Sequence, residues 1–185
     1  MTMNCWSTLI WPAPIFSRIA AINAIAQQSD GSVILGGDFS LFTDNNATVT
    51  ANRLIRVFQS GDADLSLITG TGFNGQVFDV EVEPDGDILV AGSFTSYNGT
   101  NGYGRIIRLL NSGVVDTNFN FTGANGLEAG ANGPIFDIEL QANGDIVIAG
   151  SFTEYNGTGR NRIARINSDG SLDTDFNPGN GANKL

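Results

Sequence analysis

The sequence predicts an all-β protein of three tandem propeller-type blades, and three observations carry that reading. A block of residues recurs. Val77 to Thr100 (VFDVEVEPDGDILVAGSFTSYNGT) and Ile135 to Thr158 (IFDIELQANGDIVIAGSFTEYNGT) match at 15 of 24 positions, and a worn copy, IAAINAIAQQSDGSVILGGDFSLF, ends at Phe42. Repeats at periods of roughly 20–50 residues belong to solenoids, propellers and arrays, in which no single copy can bury its own apolar face. Within each copy, short apolar runs are cut by turn residues, and no segment sustains a 3.6-residue apolar period. The composition agrees: 24 glycines accompany many Asn, Asp, Ser and Thr, the residues that build turns.

The anchors of the copies give the period. The turn glycines Gly31, Gly86 and Gly144 are spaced 55 and 58, and Arg53, Arg105 and Arg162 are spaced 52 and 57. Gly61, Gly113 and Gly170 repeat the spacings 52 and 57. The expected organisation is an apolar N-terminal docking or capping segment, 1–20, and a repeat domain, 21–185, with copies at about 21–75, 76–133 and 134–185.

The middle copy shows each element in order. Phe78, Val80 and Val82 alternate with Asp79, Glu81 and Glu83, a period of two that signals a half-buried strand. Pro84-Asp85-Gly86 makes a tight turn. Ile88 to Ala91 is a continuous apolar run, the mark of a strand covered on both faces. Gly92 to Thr95 ends it, and the polar loop Asn98 to Gly102 follows. Arg105 to Leu110 (RIIRLL) is a third strand, and Asn111-Ser112-Gly113 turns into a short fourth element around Val115. The last copy repeats this order through Phe136, Ile138, Leu140, the run Ile146 to Ala149, the strand Arg162 to Ile166, and Leu172. The expected core is Phe78, Val80, Ile88, Val90, Phe94, Ile106, Phe136, Ile138, Ile146, Ile148, Phe152 and Ile163. Four short antiparallel strands in such a length suit a propeller blade.

The blocks DGDILVAGSF, RIIRLLNSG and NGDIVIAGSFTEYNGTGRNRIARINSDGSLDTDFN resemble the bacterial delta-60 propeller-type repeat over about residues 22–183. The first copy departs from that pattern, with Leu65, Leu67 and Ile68 in place of Thr-x-Phe-Asn. The resemblance implies a fold and transfers no catalytic residue. Propellers close with about four to eight blades, so three copies leave an incomplete ring with two open edges, and open edges recruit partners. Three coverings are expected as alternatives: a larger ring, another chain, or the N-terminal segment.

Composition excludes several function classes. The chain of 185 residues carries 9 basic and 19 acidic residues, a net charge of −10. That field repels phosphate backbones and anionic lipid, so neither nucleic acid nor membrane insertion is expected. Histidine is absent, which removes Ser-His-Asp and Cys-His catalysis. The single cysteine, Cys5, reads as a bystander thiol. The N-terminus is a poor signal peptide, because it lacks a basic start and Pro12 and Pro14 interrupt its apolar core.

The remaining polar positions supply candidate sites. Asp79, Glu81, Glu83, Asp137 and Glu139 are expected on a solvated outer strand face. The arginine pairs Arg53/Arg56, Arg105/Arg108 and Arg162/Arg165 are expected to face opposite sides, with one of each pairing an acid in the neighbouring blade. Tyr97, Asn98, Tyr155 and Asn156 repeat on a rim loop and, as a stacking face with amides, could hold a carbohydrate. The alternative for them is buried loop anchors. Asp173, Asp175 and Asn177 form an oxygen-rich run that could hold calcium, against a turn in which Asp and Asn cap backbone amides. No other cofactor is expected. Trp6, Trp11 and Phe16 are the candidate assembly residues.

The functional expectation is a non-enzymatic structural or binding repeat protein. The favoured setting is a bacteriophage virion, as a tail or fibre component. Its partners would be copies of itself or other virion proteins, met through blade edges and the N-terminal segment, with contact to host surface glycans. The alternatives are an extracellular or cell-surface bacterial binding module and a propeller glycosidase.

Overall fold

The computed structural model describes residues 20–119 and 129–182, all in strands, turns and loops. Blade 1 holds β1 (Ala21–Gln27), β2 (Val33–Asp38), β3 (Leu41–Thr43), β4 (Thr48–Thr50) and β5 (Leu54–Val57). Blade 2 holds β6 (Val77–Val82), β7 (Ile88–Gly92), β8 (Ser96–Tyr97), β9 (Thr100–Asn101), β10 (Tyr103–Gly104) and β11 (Ile106–Leu109). A linker strand, β12 (Ala129–Gly130), leads to blade 3: β13 (Ile135–Leu140), β14 (Ile146–Gly150), β15 (Glu154–Tyr155), β16 (Thr158–Gly159) and β17 (Ile163–Ile166).

Each blade is a three-stranded antiparallel sheet, ordered β1-β2-β5, β6-β7-β11 and β13-β14-β17. The continuous apolar runs are the middle strands, as expected, and β7 is buried along its whole length. The hairpins β3-β4, β8-β9 and β15-β16 rise at one rim. The expected fourth strand is reduced to one bridge in each copy: Val57 with Ala63, Leu109 with Val115, Ile166 with Leu172. The inner strands β1, β6 and β13 lie side by side. The three blades do not close into a ring among the described residues.

The core lies between blades. Ala24, Ile34 and Leu54 of blade 1 pack on Val77, Val80, Ile88, Val90, Ile107 and Leu109 of blade 2. Leu89, Ala91 and Ile106 on the opposite face of blade 2 pack on Ile135, Ile138, Ile146, Ile148, Ala164 and Ile166 of blade 3. Blade 2 therefore has a leading face that meets the preceding blade and a trailing face that meets the next, and blades 1 and 3 carry the same two faces with one of them packed.

Three expected core residues are corrected. A bulge interrupts each inner strand, between Val77 and Asp79 and between Ile135 and Asp137. The extra residue is the phenylalanine. Val77 and Ile135 turn into the core, Phe78 stays half-buried, and Phe136 is 51% exposed. The two rings meet edge to face at 5.5 Å outside the core. Ile163 is half-buried because it lies on the trailing face of blade 3.

Candidate functional site

The repeated arginines form joints. The second of each pair, Arg56, Arg108 and Arg165, forms an ion pair within its own blade with the acid eight residues on: Asp64 at 2.6 Å, Asp116 at 2.7 Å and Asp173 at 2.6 Å. The acid's other oxygen accepts the amide of Ser66, Asn118 or Asp175. Across to the next blade these arginines meet backbone rather than a carboxylate. Arg56 Nη1 donates to Asn111 O at 2.8 Å, and Arg108 Nη1 donates to Ser168 O at 2.8 Å. This corrects the expected pairing with a neighbouring blade's acid. The sheet points the guanidinium along its own blade, and only its tip crosses the gap.

The first arginine of each pair clamps a linker. Arg53 Nη1 donates to Phe73 O, Arg105 Nη1 to Ala131 O, and Arg162 Nη1 to Ala182 O. All three sit in the left-handed backbone region, at φ 78°, 66° and 67°. The linker glycines Gly72, Gly130 and Gly181 also have positive φ, and a Cβ there would collide with the backbone of Asn52, Gly104 and Asn161 in turn.

The candidate rim site is corrected by burial. Tyr97 and Tyr155 lie in the core, and their hydroxyls donate to Gly113 O and Gly170 O at 2.7 Å. Burial pushes the Tyr97 phenol up. Phe73 of the incoming linker packs against Phe94 and Tyr97, with ring centroids 4.4 and 4.6 Å away. In blade 3, Ala131 takes that seat beside Phe152 and Tyr155. No stacking face is left for a sugar at these rings. Asn98 and Asn156 hold the same linkers: Asn98 Oδ1 accepts Thr71 N, and Asn156 Oδ1 accepts Gly130 N.

Two residues the sequence reading passed over complete the joint. Asn74 Oδ1 accepts the amides of Thr95 and Ser96, and Asn132 Oδ1 accepts those of Thr153 and Glu154. Their signal was the Asn-Gly shared ahead of β6 and β13.

The candidate calcium run is a capped turn. Asp173 gives one oxygen to Arg165 and the other to Asp175 N, and Asn177 Oδ1 accepts Gly179 N. The Arg165 guanidinium, followed by the Asp175 amide, holds the Asp173 carboxyl below the usual range. It also lies 5.1 Å over the Phe176 ring. Among the described residues, no group of three or more His, Cys, Asp or Glu could hold a metal ion. Trp6, Trp11 and Phe16, the candidate assembly residues, lie outside the described residues.

The inner strands carry the acids: Asp137 and Glu139 are exposed as expected, while Asp79, Glu81 and Glu83 are half-buried. Asp79 bridges two blades: Oδ2 accepts Ile138 N at 2.7 Å and Oδ1 accepts Val80 N at 2.9 Å. Burial pushes its carboxyl up, against those amides, and the charges of Asp137 and Glu139 add to the rise. Glu81 is raised by burial and then by Asp79, Glu139 and Asp137. These carboxylates crowd one surface, but the one with the most partners has both oxygens engaged by backbone. The arrangement presents crowded negative charge along the inner strands β6 and β13.

The end faces differ from the internal joints. On the leading face of blade 1, Ile22 is 52% and Ile25 69% exposed, where blade 2 buries Val77 and Val80. Beside them a cavity of about 190 Å³ is lined by Ala20, Ala21, Ile22, Phe39, Leu41 and Phe42. On the trailing face of blade 3, Val147, Ala149 and Ile163 are half-buried, where blade 2 buries Leu89, Ala91 and Ile106.

A solved structure from Bacteroides caccae, a protein of unknown function at 1.35 Å resolution, is similar over 88% of this chain and 83% of that chain, at 13% identity and a TM-score of 0.27. No curated protein matches the chain. The family model described as Domain of unknown function (DUF5122) beta-propeller matches residues 28–67, 83–119 and 141–176, one segment per blade. With more than half of its length matched in this way, the chain belongs to the DUF5122 beta-propeller family.

Proposed function

We propose that this protein is a non-enzymatic structural and binding module built from delta-60-type repeats, and that it serves as a component of a bacteriophage particle, in the tail or a fibre. The observation that carries the non-enzymatic part is where the repeated polar residues go. Arginines, Asp64, Asp116, Asp173, Asn74 and Asn132 bond within and between blades, so the groups that recur are structural joints. Catalysis needs a few groups converging on one reacting atom, and the crowded acids of β6 and β13 have their central member, Asp79, bonded to two amides.

The particle setting is supported by an acidic, lysine-poor composition, by end blades whose apolar faces stand open among the described residues, and by the aromatic residues in the sequence at 1–20. Host-surface glycans would then be met at the exposed tips of the rim hairpins, since the tyrosines are buried. Among the described residues, no helix is long and apolar enough to cross a membrane.

The test is direct. Phage particles from the source strain are banded by density and probed with an antibody against this chain. The chain should band with intact particles, and recovery in the cell-envelope fraction instead would favour the surface-module reading. In parallel, the isolated chain should release no reducing ends from host glycans. Cleavage that Glu81→Gln abolishes with the fold intact would establish the glycosidase reading in its place.

A further inference from the structure

We infer that the two open faces are the halves of one joint, and that a second copy of this chain completes it: the trailing face of blade 3 receives the leading face of blade 1 of the other copy, twice over, closing a ring of six blades. The inference rests on the reading of the protein as a non-catalytic assembly module and names its partner.

The joint is already seen twice inside the chain, and its outgoing half is present a third time. Arg162 clamps Ala182 O as Arg53 clamps Phe73 O and Arg105 clamps Ala131 O. Gly181 approaches Asn161 as Gly72 approaches Asn52 and Gly130 approaches Gly104. The stretch at 178–182 therefore follows the course of an inter-blade linker. The incoming half is present on blade 1. Its Phe39 and Phe42 stand where Phe94 and Tyr97 seat Phe73, and where Phe152 and Tyr155 seat Ala131. Between them lies the cavity of about 190 Å³. Ala182 of one copy enters that cavity in the other, as Ala131 takes the seat beside Phe152 and Tyr155.

The polar partners match by position. Arg56 and Arg108 reach Asn111 O and Ser168 O in the following blade, and the corresponding carbonyl for Arg165 is that of Gln59 in the second copy. Asp79 accepts Ile138 N across a joint. Among the described residues no following amide stands opposite Asp137, and the second copy's Ile25 N occupies the matching place. The apolar match is Ile22 and Ile25 over Val147, Ala149 and Ile163, all exposed or half-buried in one copy alone.

Closure favours two copies. Twice three blades is six, inside the range of about four to eight in which propellers close. A two-fold ring satisfies both end faces, whereas a rotation that failed to close would grow a filament.

The experiment is sedimentation equilibrium of the full chain at tens of micromolar, with Ile25→Glu and Val147→Glu. The wild type should have about 39 kDa, twice 19.5 kDa. Each variant alone should have the monomer mass, with the β-sheet circular dichroism of the wild type. Mixing the two should restore a dimer, because one intact leading face then meets one intact trailing face. A wild-type monomer would overturn the inference, as it would mean that residues 1–19 or nothing covers the leading face. A dimer that ignores both variants, or that only one of them breaks, would overturn it through a different interface, and a mass growing with concentration would overturn the closed ring. A monomer would leave the non-catalytic reading standing, since glycan cleavage and particle banding are measured independently.

Discussion

Arg108 shows how much one side chain can hold. It forms an ion pair with Asp116, donates to Ser168 O in the next blade, and lies 4.9 Å over the Phe119 ring. Asp116→Ala leaves Arg108 with the longer contact to Glu83 at 3.5 Å and with Ser168 O, so it should cost roughly 1–3 kcal/mol, read as a shift of the urea midpoint. An unchanged midpoint would show that the pair adds nothing. Arg105 is a different case. Its left-handed backbone costs a non-glycine residue about 1–2 kcal/mol, while its guanidinium clamps Ala131 O. Arg105→Ala loses the clamp and keeps the strain, and Arg105→Gly loses the clamp and removes the strain. The glycine variant should therefore melt above the alanine variant, and the reverse order would refute the account. The three arginine pairs were legible in the sequence as a repeat, but their partners were not. The Arg–Asp spacing of eight is printed three times, yet only the fold of the strand end back onto its bridge residue makes it a contact.

The period of two placed Phe78 and Phe136 in the core, and a bulge moved them out. A bulge leaves no mark in an alternating pattern, since Val77 and Phe78 are both apolar. The worn first copy did carry the clue. Asn23 stands in the bulge position of β1, and a position that tolerates Asn in one blade is not a core position. The middle strands had no such ambiguity, because Ile88 to Ala91 and Ile146 to Ala149 are apolar on both faces and needed no phase. Deleting packing from a middle strand should be costly. Ile148 is fully buried at the blade 2–blade 3 joint, and Ile148→Ala should lower stability by about 2–5 kcal/mol. Phe136→Ala on the bulge should cost far less. Equal losses in calorimetry would mean that the bulge residue is core after all.

At the scale of the molecule, repeat class and blade number were legible because every anchor recurs at its spacing, while the covering of the end faces was not, since no residue pattern within one copy states what lies beyond it. The charge of the whole assembly leads to a pH prediction. Two sets of carboxyls pull in opposite directions. Asp79, Glu81 and Glu83 are raised, first by burial, so their ionised forms oppose folding above their folded values, and that opposition fades as pH falls toward the ordinary value of about 4. Asp64 and Asp116 are raised by burial too, but the Ser66 and Asn118 hydrogen bonds and the Arg56 and Arg108 guanidiniums outweigh it and hold them low. Their stabilisation is complete above the ordinary value and is lost as pH falls through the folded values beneath it. Lowering pH also reduces the net charge from −10 and with it the self-repulsion of the fold. The Tm should therefore rise from pH 7 toward about 5 and fall steeply below about 4. The variant Glu81→Gln should start higher at pH 7 and rise less, since it removes a raised carboxyl and leaves the Asp79 bridge and the arginine pairs in place. A wild-type Tm that only declines from pH 7 downward would mean that the inner-strand acids sit in water and that the blades do not press them together.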